Sequence, residues 1–478
     1  SSSVRFSRRA GGRCRPQLGH VEHALRKARV LPERRRAGRA PADPARVVAY
    51  ELLRTVAEQD AYANLALPRL LEAHHVSGRD AALATELGYG TLRALGTLDD
   101  ILRRCVDRPL ADVESGVLDL LRLGAYQALR TRVPPHAAVA TTVDLAHAVR
   151  HGRAAGFVNA VLRRVVTLSW DAWLDELTAG ASELGALAVR TSHPEWIAAA
   201  FAQALNGDMG ETERALAADD ARPRTHLVAW PGLITRDELL AQAEGEPGPY
   251  SPYAVRMSGG DPGSLPAVRG RRAGVQDEGS QLCALAFAAA PLEGRDERWL
   301  DLCAGPGGKA ALLAALAAGR GATLTANELR EHRAELVRRV TRPWSVDVRV
   351  GDARQFPPAE GGFDRVLLDA PCTGLGALRR RPEARWRRRP DDVPELAQLQ
   401  RELLDAALRL ARPGGVVAYV TCSPHPAETT EIIAGHDLLD ARPAFADVPE
   451  LGAGPTVQLW PHRHGTDAMF CALLRRPS

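Results

Sequence analysis

Two cysteines, Cys372 and Cys422, each follow an apolar run that is typical of a buried strand. In VVAYVTCSPHPAE, residues 416–428, a lone cysteine comes at the end of the predicted strand, and a proline two residues later stops the strand. An ionised thiol is a strong nucleophile. A single free cysteine is more often a small buried hydrophobe. Two at the ends of neighbouring strands favour a shared chemical role.

A glycine-rich segment, DLCAGPGGKA, follows the first predicted strand of this region at residues 301–310. It contains three glycines that let a backbone approach a ligand closely and that open a helix: Gly305, Gly307 and Gly308. The spacing excludes a phosphate-binding P-loop, because Cys303 replaces its first glycine and Ala310 replaces its hydroxyl residue. The Gly-x-Gly-x-x-Gly pattern of dinucleotide folds is also missing.

Three carboxylates, Glu328, Asp352 and Asp369, stand where the next three strands are predicted to end. Ligands of doubly wound sheets bind beyond the carboxyl ends of the strands, and a carboxylate after the second strand can accept bonds from both ribose hydroxyls. Each acid alone is more often a helix cap or a solvated loop residue. Together they favour a nucleoside with a cationic group, and S-adenosylmethionine is therefore the predicted ligand.

Thiols beside a methyl donor predict chemistry at a carbon that is a poor nucleophile, such as C5 of cytosine. Addition of a thiolate to C6 makes an enamine-like intermediate whose C5 can attack the sulfonium methyl group. A base then removes the C5 proton, and elimination frees the enzyme. The nucleophile must be ionised, so its pKa is predicted to be lowered. A target base in RNA has to be unpaired or flipped out.

Composition and charge narrow the class of protein. The 478 residues are 45% apolar and 25% charged, which is ordinary for globular domains. No apolar run reaches the roughly 18 residues of a membrane span, and the N-terminus has no apolar signal segment. A cytoplasmic protein without membrane contact is predicted.

Seven cysteines without a Cys-x-x-Cys pair indicate reduced thiols, and four are expected to be buried hydrophobes: Cys14, Cys105, Cys283 and Cys471.

The first 42 residues are predicted to form a disordered basic arm. Residues 1–40 contain twelve Arg or Lys and two Glu, whereas the whole chain carries a net charge of +4. The basic character therefore belongs to the arm and not to the body. Such an arm often contacts nucleic acid. A solubilising tail or vector-derived residues are equally compatible with this composition.

Residues 43–168 are predicted to be all-helical. Asp43 can cap a helix that begins at Pro44, and Val48, Leu52 and Val56 repeat on one face of it. Residues 169–275 form a mixed α/β linker segment in which the Gly/Pro-rich stretch 244–264 is expected to be a loop.

Residues 276–478 alternate short apolar strands with helices. This βαβ series predicts a mostly parallel, doubly wound sheet of the Rossmann-like class.

Six motifs in this part of the chain resemble bacterial 16S ribosomal RNA cytosine-5 methyltransferases of the Sun/Fmu type, within the NOL1/NOP2/Sun family. They are QDEGSQL, DLCAGPGGK, LLDAPCTGLG, RRRPEARW, YVTCSPHPAE and QLWPHRHGTDAMF. FVNAVLRR and its surrounding helices resemble the NusB-like RNA-binding domain that precedes the catalytic domain in this subgroup. The resemblance covers the chain from about residue 43 to its C-terminus. It implies a class I S-adenosylmethionine-dependent methyltransferase that acts, as a monomer without a metal, on 16S ribosomal RNA at cytosine 967.

The resemblance also implies roles for single residues. A donor-binding segment would comprise Cys303, Ala304, Gly305, Pro306, Gly307, Gly308 and Lys309. Glu328 would bind the ribose, Asp352 the adenine side, and Asp369 would face donor and target base. Cys422 would be the nucleophile and Cys372 would assist product release. Residue chemistry alone does not choose between the thiols, since DNA cytosine-5 methyltransferases use the Pro-Cys thiol as nucleophile.

An arginine-rich run, RRRPEARWRRR at residues 379–389, is predicted to contact single-stranded RNA. The residues assigned to this contact are Arg379, Arg380, Arg381 and Trp386; a solvated basic loop is the alternative. His462, His464 and Asp467 do not complete a metal-ligand set, and a structural hairpin is expected there.

The sequence leaves two other functions open. One moves the same chemistry to another RNA such as transfer RNA, or to DNA. The other makes the protein a noncatalytic RNA-binding scaffold of the antitermination type.

Overall fold

The first helix, α1 (Pro44–Gln59), begins where the sequence predicts a cap. The Asp43 carboxylate accepts a hydrogen bond from the backbone N–H of Ala45 at 2.9 Å, and Pro44 occupies the first helical position, where no N–H is needed. Val48, Leu52 and Val56 are buried. The predicted start of the helix and its apolar face are confirmed.

A computed structural model of the chain describes residues 43–477. The predicted basic arm, residues 1–42, lies outside the described residues. The described chain divides into two compact units. The first comprises residues 43–92 and 101–169, and the second comprises residues 93–100 and 170–477.

The first unit is built from helices, as predicted. After α1 come α2 (Ala63–Ala73), α3 (Gly78–Cys105), α4 (Ser115–Arg130), α5 (Pro135–Ala148) and α6 (Ala155–Val165). Residues 93–100 of α3 belong to the second unit. Every regular element between residues 43 and 169 is a helix. Apolar residues that recur at helical spacing fill its interior, as in α4, where Val117, Leu120 and Leu121 are buried.

The second unit opens with four helices and a small sheet. The helices are α7 (Trp170–Thr178), α8 (Glu183–Arg190), α9 (Glu195–Ala204) and α10 (Met209–Asp220). The sheet has the antiparallel order β2-β3-β1-β4, and its elements are β1 (His226–Ala229), α11 (Arg236–Leu240), β2 (Gly245–Pro247), β3 (Ala254–Met257), α12 (Pro266–Arg269) and β4 (Ala273–Val275).

The Gly/Pro-rich stretch 244–264 is not a plain loop, so this expectation was wrong. It contributes the edge strand β2 and the inner strand β3, whose Val255 and Met257 are buried. The proline of β2 is tolerated because it stands on an edge strand, where an unpaired N–H is not needed. The short, mostly apolar strand β3 was obscured by the glycines and prolines around it.

The remainder is an α/β fold around one large sheet. Its elements are α13 (Glu278–Ala289), β5 (Arg298–Asp301), α14 (Gly308–Ala318), β6 (Thr323–Glu328), α15 (Glu331–Thr341), β7 (Asp347–Val350), β8 (Phe363–Asp369), α16 (Ala384–Arg387), α17 (Asp392–Leu410), β9 (Ala411–Thr421), β10 (Leu438–Leu439), β11 (Val457–Gln458), α18 (Pro461–His464) and β12 (Phe470–Arg475). The predicted doubly wound, mostly parallel sheet is confirmed.

The order of the strands shows at which edge of the sheet a ligand would bind. Along the sheet the order is β10-β12-β9-β8-β5-β6-β7, in which the five strands from β9 to β7 are parallel and β12 is antiparallel to β9. The winding direction reverses between β5 and β8. A crevice therefore opens beyond their carboxyl ends, and ligands of such sheets bind at this switch point.

A buried carboxylate anchors the opposite edge of the sheet. Asp364, near the start of β8, is fully buried and accepts bonds from the guanidinium groups of Arg295 and Arg412 at 2.9 and 2.7 Å. It also accepts from the backbone N–H groups of Glu297 and Arg298, both at 2.9 Å. Burial tends to raise the pKa of Asp364, but these hydrogen bonds hold it below its ordinary value.

None of the helices in residues 43–477 combines the length and apolarity that a membrane crossing requires.

Replacing Asp364 by Ala is expected to lower the free energy of unfolding by about 3 kcal/mol, because it leaves two cations and two backbone N–H groups without their acceptor. Urea denaturation followed by tryptophan fluorescence measures this loss. The depressed pKa means that the contribution of Asp364 is present above the carboxyl pKa of the unfolded chain and disappears as the pH falls below about 4. Asp347→Ala, which breaks an exposed pair with Arg349, is the control and should cost roughly 1 kcal/mol or less.

Candidate active site

The two strand-end thiols lie side by side. Cys372 follows β8 and Cys422 follows β9, and their sulfur atoms are 3.4 Å apart. The backbone N–H of Gly376 donates to the carbonyl oxygen of Cys422 at 2.9 Å, so the two loops are also joined through their backbones. The arrangement of neighbouring parallel strands brings both thiols into one cleft, as the sequence predicts.

The two thiols have opposite acidities. The hydrogen bond with Cys372 lowers the pKa of Cys422 below its ordinary value. The charges of Arg381 and Lys309 act in the same direction, against the effects of burial and of the Asp369 carboxylate. The hydrogen bond to Cys422 and burial raise the pKa of Cys372 well above its ordinary value. The shifts are opposite in direction, so ionisation within the pair favours Cys422. A lowered pKa at Cys422 is the direction that the sequence predicts for a nucleophile.

Two positions in the turn between β5 and α14 have no room for a side chain of their own. Gly307 has a φ of +111°, which lies in the left-handed region, and a Cβ there would press against Val340. A Cβ at Gly305 would collide with the carboxylate of Glu328. The third glycine, Gly308, begins α14 and has no close neighbour in the direction of a Cβ. Neighbouring side chains therefore approach the backbone of this turn closely at the switch point.

Lys309 and Asp369 form an ion pair between the glycine turn and the thiols. The Lys309 ammonium donates to a carboxylate oxygen of Asp369 at 2.9 Å. Burial tends to lower the pKa of Lys309, but Asp369 raises it above the ordinary value, so the lysine is charged. Both charges also act on Cys422, since the ammonium lowers its pKa and the Asp369 carboxylate raises it, so the pair links the donor side of the cleft to the nucleophile.

Two further predicted acids line the same edge of the sheet. Glu328 ends β6, is buried, accepts from the backbone N–H of Arg330 at 3.0 Å and pairs with Arg333 at 3.6 Å. Asp352 follows β7 and forms a two-oxygen contact with Arg354. The hydrogen bond with Arg354 holds the pKa of Asp352 below its usual range. Asp352 and Glu328 thus each have a cationic partner, and Glu328 also faces the glycine turn.

Sequence reasoning missed two buried polar groups beside the turn. Asp301, the last residue of β5, is fully buried, and neither of its carboxylate oxygens has a well-formed hydrogen bond. Burial and the charge of Asp369 raise the pKa of Asp301 to about 8. The amide oxygen of Gln276 is also buried without a partner, and its side chain lies about 4 Å from the Cβ position of Gly308. The signal was available for Asp301, which is the first residue of DLCAGPGGK.

These observations fit S-adenosylmethionine. The buried polar atoms of Asp301 and Gln276 that have no partner within the chain suit the hydrogen-bond donors of an amino group or ribose. The carboxylates of Glu328 and Asp369 lie near the turn and favour a ligand with cationic groups.

Comparison with known proteins agrees with this geometry. The family model described as "16S rRNA methyltransferase RsmB/F" matches residues 289–475, and the model of the NusB family matches residues 43–167. "Ribosomal RNA small subunit methyltransferase B" of Escherichia coli O6:K15:H31 is 35% identical over 90% of this chain and 98% of its own length. The chain belongs to the 16S rRNA methyltransferase RsmB/F family.

Two other similarities extend over nearly the whole length of this RsmB/F methyltransferase. "Putative methyltransferase Rv1407" of Mycobacterium tuberculosis H37Rv is 55% identical over 94% of the chain and 100% of its own length. The solved structure titled "Crystal Structure of PH0851" has a TM-score of 0.75 and 23% identity, and it covers 92% of this chain and 100% of that one. The fold is thus an N-terminal NusB domain followed by the Rossmann-like fold of S-adenosylmethionine-dependent methyltransferases.

The arginine-rich run of the RsmB/F chain is largely folded into the protein. Arg379 and Arg380 both donate to Asp467, at 3.0 and 2.9 Å, and both pair with Asp277. Arg379 is only 6% exposed, which argues against the RNA contact predicted for it. Arg381, by contrast, is exposed at the surface. RNA contact was predicted for the whole run because a pattern of charges does not reveal buried carboxylates elsewhere in the chain.

The second half of the run packs against the residues of α3 that belong to the same unit. Arg385 is fully buried and donates to the backbone carbonyls of Arg93 and Ser192 at 3.2 and 2.9 Å. The indole ring of Trp386 lies against Gly96, where a Cβ would collide with it. The predicted base stacking on Trp386 stays a prediction, with this face of the ring covered by the helix.

The cluster of His462, His464 and Asp467 makes contacts within the protein. His462 contacts Glu211 at 2.7 Å. His464 accepts from the backbone N–H of Trp460 at 2.8 Å through one ring nitrogen and donates to a backbone carbonyl through the other. Asp467 binds the arginines described above. Among residues 43–477 no group of three or more His, Cys, Asp or Glu side chains is placed to hold a metal ion.

Arg381→Ala is expected to shift the alkylation of Cys422 to higher pH. The cation favours the thiolate, so its removal raises the pKa of Cys422, and alkylation near pH 7 should slow roughly two- to tenfold. The measurement is the rate of iodoacetamide labelling of Cys422, followed by peptide mass spectrometry between pH 6 and 10. Arg389→Ala removes an exposed cation from the same run and should leave the profile unchanged. Equal profiles for the two variants would contradict the role of Arg381.

Proposed function

We propose that this RsmB/F methyltransferase transfers a methyl group to C5 of a cytosine in 16S ribosomal RNA. The observation that carries the proposal is the pair of thiols 3.4 Å apart, with opposite shifts in pKa, beside the glycine turn. Transfer to an oxygen or an exocyclic nitrogen needs no thiolate. Transfer to C5 needs one thiol that attacks and a group that assists release.

The residues proposed to hold the donor are the turn segment 303–309 together with Glu328, Asp352 and Asp369. S-adenosylmethionine supplies an electrophilic methyl group. Glu328 is placed to accept from the ribose hydroxyls, and the buried carboxylate of Asp301 is added as an acceptor near the methionine part. Asp369 lies between the turn and the thiols, where donor and target base would meet.

The proposed reaction starts at Cys422. Its thiolate forms a bond to C6 of the cytosine, and the electron pair of the C5–C6 double bond moves toward C5 and the ring. C5 then forms a bond to the methyl group as the carbon–sulfur bond of the donor breaks. Loss of the C5 proton to a base drives elimination of Cys422, which re-forms the double bond. Cys372 is proposed to assist this last step, since its sulfur is in contact with the departing thiolate.

The proposed RNA contacts combine a charged surface with an unpaired target. The target base has to contact Cys422, so the target cytosine has to leave any helix. Among the arginines predicted to bind RNA, Arg381 meets the requirement of exposure, and it also lies close enough to influence Cys422. Arg380 and Trp386 would contact the RNA only through the side-chain atoms that packing leaves exposed. The NusB domain is proposed to add RNA contacts outside the cleft.

Substituting the two thiols separates their roles. Cys422→Ala is expected to abolish methyl transfer from labelled S-adenosylmethionine to 16S ribosomal RNA, because no bond to C6 can form. Cys372→Ala is expected to accumulate a protein–RNA adduct that survives denaturing electrophoresis, because release is slowed. Cys105→Ala, at a buried thiol of the helical unit, is the control and should form no such adduct while retaining transfer. An adduct with Cys422→Ala but not with Cys372→Ala would reverse the assignment.

Bisulfite sequencing of ribosomal RNA from a deletion strain identifies the target nucleotide. We expect one cytosine of 16S ribosomal RNA to lose its protection from deamination, with cytosine 967 as the position that the family resemblance implies. Protection lost only in transfer RNA would favour the other RNA substrate, and no change anywhere would contradict the proposed activity.

A further inference from the structure

Glu428 is a buried carboxylate behind the two thiols to which neither sequence motifs nor the reaction described above assign a role. It lies in the short turn Pro426–Glu428 that follows β9, six residues beyond Cys422, and its exposed fraction is 0%. Its backbone is held as well, since the hydroxyl of Tyr419 donates to its carbonyl oxygen at 2.8 Å.

The carboxylate of Glu428 joins the residues that directly follow the two cysteines. One oxygen accepts from the backbone N–H of Thr373 at 2.8 Å and from the side-chain amide of Gln400 at 3.1 Å. The other accepts from the hydroxyl of Ser423 at 2.6 Å and from the hydroxyl of Thr373. Thr373 follows Cys372 and Ser423 follows Cys422. A single carboxylate therefore bridges both loops one residue away from each sulfur.

All four bonds come from neutral donors. Among residues 43–477 no Arg, Lys or His side chain is ion-paired with Glu428. The cost of burying this carboxylate is therefore offset by hydrogen bonds alone. An apolar side chain in its place would leave the backbone N–H of Thr373 and the amide of Gln400 without this acceptor. The charge and its four bonds therefore act on the two loops that carry the thiols.

Charges from several elements face the thiol pair. They are Lys309 and Asp369 on the side of Cys422, Arg381 from the arginine-rich run, Glu428 on the side of Cys372, and Arg388, which donates to the backbone carbonyls of Cys372 and Thr373. The cations favour a thiolate at Cys422, and the negative charge of Glu428 disfavours one at Cys372.

We propose that Glu428 is a positioning residue that locks the Cys372 loop onto the Cys422 loop and sets which thiol of the pair attacks. The bonds to Thr373 and Ser423 hold the two sulfur atoms in contact. The charge makes the resting pair asymmetric, so that Cys422 is the thiol that attacks. This inference rests on the proposed function for its purpose, although the geometry and ionisation of the thiols can be tested without RNA.

Two substitutions separate the bonds of Glu428 from its charge. Glu428→Gln retains the shape, and the hydroxyls of Thr373 and Ser423 can rotate to accept from the new amide, so the loops should stay joined. Loss of the charge should move alkylation of Cys372 to lower pH. Glu428→Ala removes both, and it should lower kcat about a hundredfold, because a loop displaced by 1 Å misaligns the thiols. The KM for S-adenosylmethionine should change less than about twofold, and Glu428→Gln should retain most of kcat.

The measurement is the rate of iodoacetamide labelling at Cys372 and at Cys422 in the RNA-free protein between pH 6 and 10. Glu431→Gln is the matched control, because it removes an exposed carboxylate three residues further along the same segment. It should reproduce the wild-type labelling of both thiols. The proposal is overturned if Glu428→Gln labels Cys372 at the same pH as the wild type. That result decides the matter even where Glu428→Ala does not fold.

Failure of this inference is distinguishable from failure of the proposed function. A wild-type protein that leaves 16S ribosomal RNA unmethylated, but whose Glu428→Gln variant shows the shifted labelling of Cys372, would contradict the cytosine assignment and support the role of Glu428. Normal methylation by Glu428→Ala at the wild-type kcat would overturn the positioning role alone.

Discussion

The candidate site depends on the register between two neighbouring parallel strands. Asp369 at the end of β8 is aligned with Val420 near the end of β9, so both strands leave the sheet at the same height. The loops that follow can then place Cys372 and Cys422 in contact. A shift of one residue would turn alternate side chains of the strand to the other face and would separate the sulfur atoms. The apolar strand interiors, which are buried on both faces of the sheet, therefore also determine the geometry of the thiols.

The same edge of the sheet brings the donor side and the nucleophile side together. β5 and β8 flank the point where the winding reverses, and they end in Asp301 and Asp369. Lys309, from the start of the next helix, reaches across to Asp369 and also favours the thiolate at Cys422. One ammonium thus serves both halves of the cleft. A point charge on a flexible stem suits this position, whereas the other described cations of the chain are arginines, whose planar groups form two-point contacts such as that of Arg354 with Asp352.

Much of the fold and of the cleft was predictable because it follows from short-range patterns. The change from helical to strand period, the cap at Asp43 and the thiols after β8 and β9 are all visible in the sequence. The pairing of charges between segments that are distant along the chain is not visible in the sequence. The arginine-rich run looks solvated until Asp277 and Asp467 are brought to it from distant segments. The role we infer for Glu428 likewise depends on two hydroxyl residues that become neighbours only when β8 and β9 pair.

The neutral hydrogen bonds around Glu428 have a consequence for how ionic strength acts on this protein. Mobile ions weaken interactions between exposed charges over distances of about 10 Å, and protein–RNA affinity falls steeply as counterions compete for the phosphates. A sealed carboxylate that is held by amide and hydroxyl donors is shielded from such ions. Added salt should therefore weaken RNA binding while leaving the alignment of the two sulfur atoms intact. The rate of methyl transfer lost at high salt can then be recovered by raising the RNA concentration.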